Sequence, residues 1–337
     1  MVTEQQLRES LQDILVPGAM RSLVKLNLIR QIVVSDQKVD VTLASTGLDS
    51  NTQDWLKSKV SDTISQVVSY SQINLNFVPV PTKEINDVGY VIAVMSGKGG
   101  VGKSLVAALL GMALVRDRKE VGILDADITG PSIPKMFGLS GIRPRSSESG
   151  ILPVLSKSGI SVISINLLLE HEDDAVIWRG PIISRVIQQF WEDVLWGKLD
   201  YLIVDLPPGT ADAPLTVLQT IPTSGIVIVF SPQELAAMVV KKAVRMARQM
   251  GIPILGVVEN MSYFTPPGSK KKLEIFGKSR SQEMSEAAEA PLLAQIPIDP
   301  QLAKLCDEGK IERYSSKIFD NLSRNFIQAL SVKAKQT

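Results

Sequence analysis

The chain runs to 337 residues with one cysteine, Cys306, and one histidine, His171. A lone thiol excludes a disulfide framework within the chain, and one Cys with one His cannot build a Cys/His metal site in a single subunit. Charge of one sign is not in excess either: 36 Lys and Arg stand against 35 Asp and Glu, a formal net charge of +1. No global field therefore draws the chain to nucleic acid or to an anionic membrane. Long apolar runs are missing, since stretches such as Gly225 to Phe230 are strand-length and far short of a membrane span, so no membrane insertion is expected. The first residues, MVTEQQLRES, lack the basic and apolar regions of a secretory signal, and a cytoplasmic location is the expectation.

What is present describes a globular protein with ample core: 45% hydrophobic and 21% charged residues. The length suggests two domains. Leu7, Leu11, Ile14 and Leu15 recur at helical spacing within 4–15. Alternating strands follow at 28–34 and 38–43, joined at Ser35-Asp36-Gln37, then a helix over 52–69 with Trp55, Ile64, Val67 and Val68 as core candidates, and a strand at 73–78. This α-β-β-α-β unit makes residues 1–80 a small α+β domain. Pro79, Pro81 and the polar run to Asp87 make 81–89 a linker.

From residue 90 to the end, strands and helices alternate, the pattern of a doubly wound, mainly parallel α/β sheet. Strands are expected near 90–95, 121–124, 160–165, 201–204, 225–230, 252–258 and 292–296, with helices at 102–116, 181–196, 233–249 and 315–332.

The stretch Ser96 to Ser104, SGKGGVGKS, lies between an apolar strand and a periodic run, the context of a phosphate-binding loop. Gly97, Gly99, Gly100 and Gly102 carry no Cβ, so the backbone can turn sharply and aim N–H groups, Val101's among them, at one anion. The helix starting near Gly102 adds its positive end. Lys103 supplies a charge to the β and γ phosphates of ATP, and Ser104 a hydroxyl to Mg²⁺. Lys98 points out of the loop and can reach a phosphate from outside, including one held by a second subunit.

Carboxylates close two of the strands. Val121 to Leu124 runs into Asp125-Ala126-Asp127, and strand ends in an open α/β sheet face the ligand crevice. Tyr201 to Val204 runs into Asp205, as a strand does when its Asp holds Mg²⁺ through water, and Gly209 in the following Leu206-Pro207-Pro208-Gly209-Thr210 can donate its N–H to a γ-phosphate. Asn260, at the end of Gly256 to Glu259, carries a donor and acceptor pair suited either to adenine or to a helix cap.

GKGGVGKS, DADITGPS, DLPPGT and the block Ile177-Trp178-Arg179-Gly180-Pro181 resemble the deviant phosphate-loop and switch motifs of Mrp-type ATPases, MinD-like proteins that include iron-sulfur cluster carriers. The N-terminal unit resembles the MIP18-like module that precedes such ATPases, and SLVKLNLIR adds to that match. The resemblance implies a homodimer in which Lys98 acts across the interface, Asp127 orients the attacking water, Asp125 lies near the Mg²⁺ shell and Asn260 binds the base. Pro297-Ile298-Asp299 resembles the second purine-side loop. Arg179 is read either as a phosphate or interface residue or as an ordinary ion-paired arginine, and His171 as a solvated loop residue.

One block departs from the family. Its C-P-x-C pair, taken to bridge a [4Fe-4S] cluster between two subunits, is replaced here by Pro266 and Ser269, and neither ligates iron as a thiolate does. Cys306 is expected to be a buried, inert thiol, and Lys270 to Lys272 a solvated face or a dock for an acidic partner. The expected function is MgATP hydrolysis in iron-sulfur cluster assembly or transfer, with iron-sulfur apo-proteins or other assembly factors as partners. The alternative is a nucleotide-gated dimeric adaptor or partitioning-type ATPase that carries no cluster. A metabolic kinase is a third class, against which Lys98 argues.

Overall fold

The computed structural model describes residues 2–35, 38–68, 72–127, 130, 132–147, 149–168, 180–210, 212–233 and 235–333. These form two compact units.

The smaller unit comprises Met1–Val88 together with Arg143–Leu155 and Gln189–Leu199. Helix α1 (Glu4–Ser10) starts at a capping box, in which Thr3 and Gln6 satisfy each other's backbone N–H. It stops at Ser10 rather than reaching residue 15: turns take over, and Leu15 joins Ser22 in an isolated bridge, leaving Leu15 46% exposed. Strands β1 (Ile29–Ser35) and β2 (Lys38–Ala44) pair antiparallel, and β2 pairs in parallel with β3 (Gln72–Val78).

The crossover between β2 and β3 is α2 (Ser50–Val67), capped by Asp49, which accepts from the Thr52 N–H. Its buried stripe is Thr52, Leu56, Val60 and Ile64, spaced every four residues. Ile64 and Val68 are therefore core residues as expected, but Trp55, one position off the stripe, is 43% exposed, and Val67 in the last turn is 42% exposed. Leu7, Leu11, Leu23, Leu28, Leu43 and Leu56 are fully enclosed, and Leu152 and Leu195 join the same core from the two later segments. Each such burial is worth about 2 kcal/mol. The stretch read as a linker carries one helical turn, Thr82–Ile85, whose Thr82 hydroxyl donates to the Glu192 carbonyl.

The larger unit takes Gly89–Ile142, Ser156–Gln188 and Asp200–Thr337. Its strands are β4 (Asp87–Ser96), β5 (Val121–Asp125), β6 (Ser161–Ser164), β7 (Lys198–Asp205), β8 (Gly225–Phe230), β9 (Ile254–Phe264) and β10 (Leu292–Ile298), lying in the order β10-β9-β8-β4-β7-β5-β6. The pairings β7 with β5, β5 with β6, β8 with β4, β8 with β9, and β9 with β10 are all parallel. The intervening helices are α3 (Lys103–Arg116), α4 (Ile133–Phe137), α5 (Gly180–Glu192), α6 (Asp212–Thr220), α7 (Leu235–Gln249), α8 (Ser281–Ala288), α9 (Pro300–Asp307) and α10 (Ile318–Lys333). This is the α/β architecture read from the sequence.

From β4 the chain crosses to β5 on one side, and from β8 to β9 on the other. Ligands of open α/β sheets bind at such a reversal, outside the carboxyl ends of the strands. The glycine loop that follows β4 stands at that point.

Candidate functional site

Residues 91 to 96 of β4 are buried, and the chain then turns through 97–102 into α3. The Ser96 hydroxyl donates to the Lys98 carbonyl at 3.0 Å and closes the start of the turn. Gly100 and Gly102 take φ of +78° and +81°, a region that costs a residue with a Cβ about 1–2 kcal/mol. A Cβ on Gly99 or Gly100 would meet no atom of the described residues within 4 Å, which leaves that side of the loop open for an anion. Past Lys103 and Ser104, helix α3 is apolar as far as Val115, with Val106 to Leu114 all buried, so core packing holds it in place.

Lys103, 5% exposed, sits among three carboxylates. Its Nζ lies 2.7 Å from Asp205 Oδ1 and 3.4 Å from Asp127 Oδ2, and 3.4 Å from the Ser104 hydroxyl. Asp125 and Asp205 are register partners on β5 and β7, and both are fully buried. Asp125 accepts from the Asp127 N–H at 3.2 Å, the Ile133 N–H at 3.3 Å and the Ser164 hydroxyl at 3.2 Å. Burial, with the Asp205 charge next to it, pushes the Asp125 carboxyl well above the usual range, against the pull of Lys103. Burial raises Asp205 too, opposed by the adjacent Lys103 ammonium.

Among the described residues, Asp205 Oδ2 is buried with no hydrogen-bond partner. An orphaned carboxylate oxygen near a serine hydroxyl is the donor set of a hard divalent cation, so Ser104 and Asp205 fit Mg²⁺. Gly209, at φ +97°, donates its N–H to the Ser96 carbonyl at 3.0 Å. The Lys98 ammonium donates to Gln233 Oε1, on the segment after β8.

Asn260 is 2% exposed, and its Nδ2 donates to the Val101 carbonyl at 2.9 Å, so the amide reaches the loop itself rather than capping a helix. The structure thus brings Lys103, Ser104, Asp125, Asp127 and Asp205 together, joins Asn260 to the loop through Val101, and ties Gly209 to its first strand. Ile128, Thr129, Pro131, His171 and Arg179 lie outside the described residues. Asp299 caps α9 through the N–H groups of Gln301 and Leu302 and accepts from the Tyr314 hydroxyl.

Beyond Asn260, β9 continues through a left-handed Met261, φ +56°, to Phe264, which exchanges two 2.8 Å backbone bonds with Leu273. Pro266 and Ser269 belong to the turn so closed, with the Ser269 N–H on the Pro266 carbonyl. Lys270 to Lys272 are exposed, the last with its Nζ 3.9 Å from the centroid of the Tyr263 ring. Cys306, on α9, is half-buried rather than enclosed, and burial, helped by Asp307, pushes its thiol up to about 11. Among the described residues no group of three His, Cys, Asp or Glu is arranged to hold a metal ion. With Pro266 and Ser269 in this turn and Cys306 the single thiol of the sequence, the residues present do not fit a thiolate-held cluster.

Two groups escaped the sequence reading. Glu259, fully buried, accepts from the Ser279 hydroxyl at 2.7 Å, the Arg280 N–H at 2.7 Å and Gln295 Nε2 at 2.8 Å. An acid inside an apolar strand was a signal for it. Gln233, the Lys98 partner, gave none.

Residues 87–330 match the ParA family model described as NUBPL iron-transfer P-loop NTPase. An iron-sulfur cluster carrier protein of Aquifex aeolicus is 37% identical over 337 aligned residues, covering 92% of this chain and 90% of that one. One of Saccharolobus solfataricus is 46% identical over 67% of this chain and 77% of its own. A nucleotide-binding protein of Archaeoglobus fulgidus, solved in complex with ADP, superposes with a TM-score of 0.64 at 46% identity, covering 71% of this chain and 94% of that one. With the glycine loop, its lysine and the carboxylates at the strand ends in register, the Mrp-type resemblance holds, and the chain belongs to the NUBPL iron-transfer P-loop NTPase family.

Proposed function

We propose that the chain is a homodimeric, magnesium-dependent ATPase that works in iron-sulfur cluster assembly or transfer. The observation that carries this is the Lys103 ammonium held between Asp205 and Asp127 at the mouth of an open glycine loop. A triphosphate seated on the N–H groups of 99–104 draws Lys103 onto its β and γ oxygens. Magnesium, when bound, neutralises charge on those oxygens. Lys103 leaving Asp205 frees that carboxylate to face the metal side, with Ser104 beside it.

Asp127 stands next to the same lysine and orients the attacking water. Asp125, deeper and held by three donors, supports the shape of the carboxylate cluster. Gly209 exchanges its bond to the Ser96 carbonyl for one to the γ-phosphate, and hydrolysis returns it, which makes the 206–210 segment a two-state element. Lys98 exchanges Gln233 for a phosphate of the second subunit. Asn260 contacts the base. Catalysis is by positioning and charge stabilisation. The iron-sulfur role is supported by the names of the relatives at 37% and 46% identity.

The replacement of the cysteine pair by Pro266 and Ser269 favours a second reading, a nucleotide-gated adaptor that carries no cluster. Two measurements separate them. Phosphate release from MgATP tests the ATPase itself, and no release above buffer refutes it. Anaerobic reconstitution with iron and sulfide, followed by iron counting, supports cargo carriage if iron stays bound through gel filtration. Iron-free protein that still dimerises with ATP supports the adaptor.

A further inference from the structure

Asn260 stands where β9 passes the glycine loop. Its Nδ2 donates to the Val101 carbonyl at 2.9 Å from a side chain 2% exposed. A carbonyl can only accept, so the amide nitrogen must face the loop. The next residue, Gly102, sits at φ +81°, and a Cβ on it would lie 2.1 Å from the same Nδ2. Loop and amide are thus packed together at two successive residues, immediately before the helix that delivers Lys103 and Ser104.

The other side of this contact is anchored. Asn260 pairs with Ile296 on β10, and the preceding Glu259 carboxylate holds Ser279, the Arg280 N–H and Gln295. A four-glycine loop has much conformational freedom to lose when its N–H groups converge on an anion. A fixed donor on the Val101 carbonyl removes part of that freedom beforehand, which favours phosphate binding by preorganisation.

We infer that Asn260 is a positioning residue for phosphate: it braces the glycine loop in its anion-accepting shape, and so acts on phosphate affinity whatever base is attached. The inference rests on the nucleotide-binding reading above and adds a role to any contact that Asn260 makes with the base.

Inorganic tripolyphosphate, which has no base, is the probe that separates the two roles. With magnesium present, Asn260→Ala is expected to weaken tripolyphosphate about five- to tenfold, the worth of one buried hydrogen bond to a carbonyl, with ATP weakened at least as much. Amide hydrogen exchange in the ligand-free variant is expected to rise at 99–104, while the strands of the sheet keep their protection. Should Asn260→Ala fail to fold, Asn260→Ser, too short to reach Val101, takes the same measurements. Unchanged tripolyphosphate affinity, or unchanged exchange at 99–104, overturns the brace. If the wild-type protein binds neither tripolyphosphate nor ATP, the nucleotide reading itself falls, and the brace with it.

Discussion

Lys103 Nζ lies 2.7 Å from Asp205 Oδ1, with side-chain exposures of 5% and 0%. The ammonium is thus engaged by a buried carboxylate. Removing one member of a buried pair leaves the other uncompensated, at about 3 kcal/mol. Lys103→Met is therefore expected to be less stable than wild type by about that amount in urea denaturation without nucleotide, and equal stability would contradict the pairing.

The same cluster sets a pH dependence. Burial and Asp205 raise the Asp125 carboxyl well above its ordinary 3.8, so the folded state keeps this proton to higher pH than the unfolded chain does. Its contribution is greatest at low pH and is lost as pH rises above 3.8 toward the raised folded value. Asp125→Asn cannot titrate. The stability of Asp125→Asn relative to wild type should thus shift in the variant's favour from about pH 4 to about pH 7. Thermal melts at fixed ionic strength measure this, and a difference that is constant or moves the other way contradicts the burial argument.

Two glycines of the loop separate backbone strain from crowding. Gly100→Ala meets no atom of the described residues within 4 Å at φ +78° and is expected to cost about 1–2 kcal/mol, from conformation alone. Gly102→Ala adds a Cβ 2.1 Å from Asn260 Nδ2 and must also break the bond to Val101, for about 1 kcal/mol more. Equilibrium unfolding of the pair gives the order, and equal costs would remove the contact from the account.

Asp127 Oδ2 is 3.4 Å from Lys103 Nζ, yet Asp127 lies outside the glycine turn. Asp127→Ala is expected to keep ATP affinity within about threefold while turnover falls by about a hundredfold. Binding by fluorescent-nucleotide competition and steady-state phosphate release decide it, and normal turnover in the variant refutes the role given to this carboxylate.

Elements whose signal is local were legible in the sequence. The glycine loop could be read because Gly97 to Ser104 is a contiguous string with one physical purpose, and Asp125 and Asp205 because each closes an apolar strand. Helix α2 was legible as a helix but not as to its buried face: Trp55 is hydrophobic, yet the stripe runs through Thr52 and Leu56, and the packing partner decides which side is inside. Helix α1 was read too long because Leu11 and Ile14 are buried from turns, where apolar spacing mimics a further helical turn.

Long-range partners carried no local signal. That Asn260 reaches Val101, 159 residues away, depends on β9 lying two strands from β4. The grouping of 143–155 and 189–199 with the N-terminal unit likewise depends on contacts such as Leu152 and Leu195 in that unit's core, which no composition shift marks.

The central claim is that a triphosphate seats in the glycine loop with Lys103 as its cation. Isothermal titration of the magnesium-loaded protein with ATP tests it most directly, alongside Lys103→Ala. A saturable heat is expected for wild type and none for the variant; no heat from wild type, or the same isotherm from both, would contradict a triphosphate seated in this loop.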